Sequence, residues 1–187
     1  MIFLSPLLIL IYLLIYFLDN GPVIFKQLRV GKNGKYFTIY KFRTMKYIKD
    51  YQFDGLVNEL TKDNIEKARE KFKTTKRNDP RISKIGKIIR PIHFDELPQL
   101  INVIKGDMSF VGPRPDVPVQ KVDYTEKFWK MRISLKPGIT GLAQLYQCKE
   151  LSERNILDLH YLRKRSFIFD LYILIRTFFK LFYLKSN

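Results

Sequence analysis

From Ile2 to Leu18 the chain is apolar and carries no charge (IFLSPLLILIYLLIYFL). As a helix it would reach about 25 Å, short of the ~30 Å hydrocarbon core of a bilayer. Ser5-Pro6 interrupts it and leaves Leu7 to Leu18 as the longest clean stretch, about 18 Å, which fits a re-entrant or interfacial segment better than a span. Pro6 removes a backbone donor and bends or breaks a helix, and a neighbouring hydroxyl satisfies a freed carbonyl in a dry environment. A signal peptide would need a basic start and a small-residue cleavage site; Asp19-Asn20-Gly21-Pro22 follows instead.

Alternation then takes over. Val23 to Arg29 and Tyr36 to Phe42 are β-rich runs around Gly31-Lys32-Asn33-Gly34, a hairpin with Gly and Asn in the turn. Leu56, Leu60, Ile65, Ala68 and Phe72 are set among charges and predict an exposed amphipathic helix over Asp54 to Phe72, with a polar loop over Lys73 to Pro80. Arg81, Lys84, Lys87 and Arg90 lie opposite Ile82, Ile85 and Ile88/Ile89, a short helix with one basic edge. Asp95 to Lys105 reads as helical and ends at Gly106. Lys136 to Gly141 reads as a Pro/Gly loop, and Ser166 to Lys185 as a basic amphipathic helix suited to a membrane interface.

The 187 residues suit one domain, and the apolar and aromatic content excludes disorder. A lone Cys148 excludes a disulfide scaffold. The net charge of +16 calls for a polyanionic neighbour: nucleic acid, an anionic membrane surface or anionic substrates. Lys26, Arg29, Lys32, Lys35, Lys41, Arg43, Lys46 and Lys49 follow the apolar segment with no acid among them, the pattern of a face turned to an anionic cytoplasmic leaflet; a solvated basic face is the plainer alternative.

Two segments hold candidate chemistry. In His93-Phe94-Asp95-Glu96-Leu97-Pro98 adjacent carboxylates stand at a helix start. An ionised Asp is a competent nucleophile toward phosphorus, and Glu is a hard oxygen ligand for Mg²⁺; simple N-capping is the plainer account. In Gly112-Pro113-Arg114-Pro115 two prolines restrict an Arg, whose planar fork suits phosphate; a turn with an exposed Arg is the alternative. Lys41-Phe42-Arg43-Thr44-Met45 and Lys136-Pro137-Gly138-Ile139-Thr140-Gly141 also place cations beside backbone that an anion can approach. No P-loop, dinucleotide fingerprint or zinc motif occurs, and His93 and His160 are isolated.

Taken in order, GPVIFKQLRVG, YKFRTM, NDPRISKIGKIIR, DELPQLINVIKGDMSFVGPRP, KPGITGLAQ and SFIFDLYILIRT resemble the bacterial sugar transferases, the monotopic polyprenyl-phosphate phosphoglycosyl transferases, over nearly the whole chain. The resemblance implies a mostly helical α+β fold. Residues 1–20 would form a re-entrant membrane helix broken at Ser5-Pro6, and residues 21–187 a catalytic domain with a small β-hairpin and amphipathic interfacial helices. Its active site would face the cytoplasm at the bacterial inner membrane. It implies transfer of a sugar-1-phosphate from a UDP-sugar to undecaprenyl phosphate with release of UMP, at the start of glycan assembly. Asp95 would be the nucleophile that carries a covalent phosphosugar, and Glu96 would help bind Mg²⁺ beside it. Lys41, Arg43, Arg90 and Arg114 would face phosphate and nucleotide, and Asp158 and Asp170 match family carboxylates near the site. Anionic lipids are implied partners and nucleic acid is not; a membrane-associated nucleic-acid or scaffold protein is the competing reading.

Three departures stand out. The family carries a longer lead before Ser-Pro, so a truncated chain or a missing leg is expected; His93 replaces a small hydroxyl residue two before Asp95; and Tyr146-Gln147-Cys148-Lys149 replaces a Gly-Arg-containing stretch.

Overall fold

The computed structural model describes residues 4–47, 79–148 and 150–183. The helix expected over Asp54 to Phe72, most of the loop ending at Pro80, and Lys49, Lys149 and Lys185 lie outside them.

Helix α1 (Ser5–Leu18) has Pro6 in its first turn, where a missing N–H has no partner to lose. Proline's fixed φ is compatible with that first turn. Among the described residues no helix is long and apolar enough to cross a membrane, and no second leg of a re-entrant hairpin is seen. Ile11 and Ile15, one turn apart, pack on Val23, Phe42, Ile85 and Ile89. Most of the remaining α1 side chains, including Ile9, Leu10, Tyr16, Phe17 and Leu18, are exposed.

Strands β1 (Ile24–Val30) and β2 (Tyr36–Phe42) form the expected antiparallel hairpin, with Phe25 opposite Lys41 and Val30 opposite Tyr36. Its turn uses Asn33 and Gly34 at positive φ, which Asn and Gly tolerate best. Buried Asn102 clamps the free edge of β2. Its Nδ2 donates to the Thr38 carbonyl at 2.7 Å, and its Oδ1 accepts from the Tyr40 N–H at 3.2 Å. That clamp sets the height of Lys41, the next residue along.

Short α2 (Lys84–Ile89) is capped by Ser83, whose hydroxyl accepts from the Gly86 N–H at 3.0 Å. A Cβ at Gly86 would overlap the Thr44 backbone, so glycine lets α2 lie against the end of the hairpin. The helix expected over Asp95 to Lys105 is two elements: a 3₁₀ turn over Phe94–Gln99, then α3 (Leu100–Ile104). Pro98, which has no N–H, lies inside the 3₁₀ turn and accounts for the change of pitch. Gly106 ends α3 at φ +81, as expected.

The segment expected to be a Pro/Gly loop contains a strand. β4 (Gly138–Thr140) pairs in parallel with β3 (Ser109–Val111). Gly112, Gly138 and Gly141 bring the backbones closer than any Cβ would allow. Helices α4 (Glu126–Arg132), α5 (Leu142–Leu145), α6 (Leu151–Lys164) and α7 (Phe167–Tyr183) complete a mostly helical α+β fold. Val111, Leu142, Tyr161 and Ile173 form the core under α7. Phe167, Ile168, Phe178 and Phe179 of α7 stay exposed, the apolar stripe that its spacing predicts.

Candidate active site

His93 adopts a left-handed conformation (φ 54°) and its side chain makes no cap bond. The chain therefore reverses sharply before the carboxylates, and the Glu96 N–H donates to the His93 carbonyl at 3.1 Å. The resulting 3₁₀ turn packs against β2 and directs Glu96 at that strand. Lys41 Nζ meets Glu96 Oε1 at 2.6 Å, with side chains only 14% and 12% exposed. Arg114 brings Nη1 and Nη2 to the same oxygen at 3.4 Å.

The electrostatics follow from this crowding. Burial opposes ionisation of Glu96, but the charges of Lys41 and Arg114 outweigh it and hold the carboxyl well below the usual glutamate range. Burial pulls the Lys41 ammonium down, against the attraction of Glu96. Asp95 moves the other way. Burial and then the neighbouring Glu96 charge raise its carboxyl, opposed by Lys41, His93 and Arg90. The two adjacent carboxyls are thus driven apart, Glu96 locked as an anion and Asp95 made more basic. Paired titratable groups separated in this way mark a functional site.

Asp95, Glu96, Lys41 and Arg114 are therefore brought together. Arg90 ends α2 with its charge acting on Asp95, and its Nη1 is buried without a hydrogen-bond partner. Arg43 lies elsewhere: its guanidinium donates to the carbonyls of Pro22 (2.6 Å), Asp19 (3.0 Å) and Met45 (3.4 Å), tying the end of α1 to the end of β2. Asp158 is buried against Arg132, and Asp170 accepts from the Tyr161 hydroxyl at 2.8 Å. None of these three touches the Asp95–Glu96 turn among the described residues. Ser5 and Pro6 sit at the start of α1.

Several participants escaped the sequence reading. Arg29, counted there with the leaflet-facing cations, is half-buried and bonded within the fold. It donates to the Pro115 carbonyl at 2.8 Å, and burial together with the Arg114 charge pulls its guanidinium down to about 10. Buried Asp116 and Arg132 and half-buried Arg154 and Tyr124 form a cluster beside Asp158. Asp116 accepts from Arg132 Nε at 2.7 Å, Arg154 Nη2 at 2.9 Å and the Tyr124 hydroxyl at 3.0 Å. For Asp116 the available signal was its position directly after the Gly-Pro-Arg-Pro run.

Among the described residues no group of three or more His, Cys, Asp or Glu could hold a metal ion. Two adjacent carboxylates do fit Mg²⁺, which binds through one or two carboxylates and takes its remaining ligands from water and substrate phosphates. Beside the turn lies an apolar cavity of about 260 Å³, lined by Leu8, Ile9, Tyr12, Ile24, Phe42, Leu97, Pro98, Leu100 and Ile101. A charged cluster and an apolar slot thus meet at one short segment, residues 95–101.

A family model described as bacterial sugar transferase matches residues 1–183. The chain is 36% identical to the UDP-glucose:undecaprenyl-phosphate glucose-1-phosphate transferase of Escherichia coli K12, over 100% of this chain and 38% of that protein. It is 37% identical to the exopolysaccharide production protein ExoY of Sinorhizobium fredii, over 95% of this chain and 77% of that one. It is 42% identical to the galactosyl transferase CpsE of Streptococcus agalactiae, over 85% of this chain and 34% of that one. The chain thus spans under half the length of the first and third of these relatives.

Proposed function

The chain belongs to the bacterial sugar transferase family, and from that premise we propose that it transfers a sugar-1-phosphate from a UDP-sugar to undecaprenyl phosphate, releasing UMP, in glycan synthesis. The observation that carries the reading is the divided carboxylate pair: Glu96 held anionic by Lys41 at 2.6 Å and Arg114 at 3.4 Å, with the more basic Asp95 beside it. Names of relatives support the two substrates, since they include a glucose-1-phosphate and a galactose undecaprenyl-phosphate transferase.

In the proposed mechanism an Asp95 carboxylate oxygen attacks the sugar-bearing phosphorus of the donor. An O–P bond forms, and the bond to the bridging oxygen breaks, so UMP leaves with that electron pair. A phosphate oxygen of undecaprenyl phosphate then attacks the same phosphorus, the Asp95–phosphorus bond breaks, and the carboxylate is regenerated. Splitting the transfer lets one nucleophile serve donor and acceptor in turn. Arg114 and Arg90 supply positive charge where phosphoryl oxygens gather, Arg114 with a planar fork suited to two of them. Lys41 keeps Glu96 ionised. Mg²⁺, held by Asp95 and Glu96, would neutralise charge on the donor diphosphate. The cavity lined by Leu8, Ile9, Tyr12, Leu97 and Pro98 would receive the first part of the isoprenoid chain. The exposed apolar stripes of α1 and α7 and the cations beside them suit the cytoplasmic face of a bacterial inner membrane with anionic lipids.

A panel of UDP-sugars assayed for UMP release, with and without Mg²⁺ and undecaprenyl phosphate, tests the reading. Labelled phosphosugar should be trapped on the protein in the absence of acceptor, and Asp95→Asn should abolish both trapping and release. Wild-type turnover by that variant, or salt-sensitive duplex binding with no donor turnover, would overturn it.

A further inference from the structure

We propose that Arg132 is a positioning residue, one that fixes the backbone of Arg114 and thereby aims its guanidinium at the reacting phosphate. The proposal rests on the reading that Arg114 faces substrate. Five consecutive residues around Arg114 each have a main-chain atom bound from outside the segment. The Gly112 N–H donates to the Thr140 carbonyl at 2.9 Å, and the Pro113 carbonyl accepts from the Gly138 N–H at 2.9 Å. The Arg114 carbonyl accepts from Arg132 Nη2 at 2.6 Å, and the Pro115 carbonyl accepts from Arg29 Nη1 at 2.8 Å. The Asp116 carbonyl accepts from the Val30 N–H at 2.9 Å. Prolines on both sides fix further dihedrals. From this fixed backbone the Arg114 side chain, 42% exposed, reaches toward Glu96.

Of those anchors, the one on Arg114 itself comes from Arg132, which is 4% exposed. All three of its nitrogens are engaged: Nη2 on the Arg114 carbonyl, Nε on Asp116 at 2.7 Å, and Nη1 on Asp158. Two carboxylates for one guanidinium neutralise it and hold its plane, and Arg154 returns a positive charge to Asp116 at 2.9 Å. Backbone bonding by charged donors is stronger than by neutral ones. A lysine keeps the charge but cannot serve three fixed directions at once. Asp158 acts through Arg132 in the same way, by holding its outer nitrogen.

The test is a double-mutant cycle read in UMP release, with wild type, Arg132→Lys, Arg114→Ala and the double variant assayed over a UDP-sugar panel with Mg²⁺. Arg132→Lys should lower turnover roughly 10- to 100-fold in the wild-type background, as a misplacement of about 1 Å does. In the Arg114→Ala background the same change should lower it less than about twofold, because the group it positions is gone. Thermal unfolding of each protein separates this from a general loss of stability, which would shift both backgrounds alike. Should Arg132→Lys fail to fold, Asp158→Asn, which leaves the guanidinium in place, repeats the cycle with a smaller effect in the same direction. Equal loss in both backgrounds overturns the positioning role. Full activity in Arg114→Ala overturns the substrate-facing reading of Arg114 and the proposal with it.

Discussion

Lys41→Met isolates the central ion pair. The wild-type side chains are 14% and 12% exposed and meet at 2.6 Å, so the pair belongs to the buried regime, where removing one partner costs about 3–5 kcal/mol. Arg114 remains near Glu96, but at 3.4 Å and with its own side chain 42% exposed. It offsets part of the loss and sets the expectation at the lower end, about 3 kcal/mol. For a chain of this size that corresponds to a melting point lower by roughly 6–12 °C. Glu96→Gln should cost a similar amount, because it leaves a buried ammonium close to Arg29 and Arg114. The double variant should cost no more than the worse single one, a coupling of about 3 kcal/mol. Urea and thermal unfolding at neutral pH measure all four proteins. An additive double variant would refute the pairing. The acid limb gives a second measurement. The folded-state pKa of Glu96 is depressed below its ordinary 4.5, so its stabilisation is fully present above that pH and is lost as pH falls through the lower folded value. Wild type should therefore lose stability more steeply below about pH 4.5 than Glu96→Gln.

Asp95→Asn has the opposite sign. Its carboxyl is raised in the folded state, so the ionised form costs stability at neutral pH, and the amide should raise the melting point while UMP release falls at least about 10³-fold. Gly86→Ala drives a methyl into the Thr44 backbone and should cost about 3 kcal/mol in thermal unfolding, since neither α2 nor the strand end can yield cheaply. Phe167→Ser together with Ile168→Ser removes two exposed apolar side chains from α7. It should weaken sedimentation with anionic vesicles while leaving the melting point within about 0.5 kcal/mol equivalent; undiminished vesicle binding would exclude this end of α7 as the contact.

What the sequence made legible was local. The hairpin and its Asn33-Gly34 turn, the stop at Gly106 and the α7 stripe depend on neighbours within a few positions, and periodicity and turn chemistry report those well. The split of the expected helix at Pro98 was also local, but proline is tolerated equally in a first α turn and in a 3₁₀ turn. Strand β4 was hidden because its three residues, Gly-Ile-Thr, gain their pairing from β3, far earlier in the chain. Charge misled most. Arg29 and Arg43 belong by sequence to a block of cations that would face a leaflet or a phosphate, and Arg132 carries no signal at all, yet each donates to backbone carbonyls. A guanidinium aimed at main chain leaves no trace in residue type or spacing, so the basic surplus is partly internal scaffolding.

The Val111–Leu142–Tyr161–Ile173 core draws one side chain from each of four segments spread over residues 111–173. During synthesis at about 5–20 residues per second, residue 173 follows residue 111 by roughly 3–12 s. A hairpin such as β1–β2 closes in microseconds, and Lys41 and Glu96 can meet as soon as residue 96 is free. The loop bearing Arg114 must wait for residues 132–140 to supply three of its five anchors, the one on Arg114 itself among them. The nascent chain thus assembles the acidic half of its site first and leaves its positive clamp slack until later segments emerge.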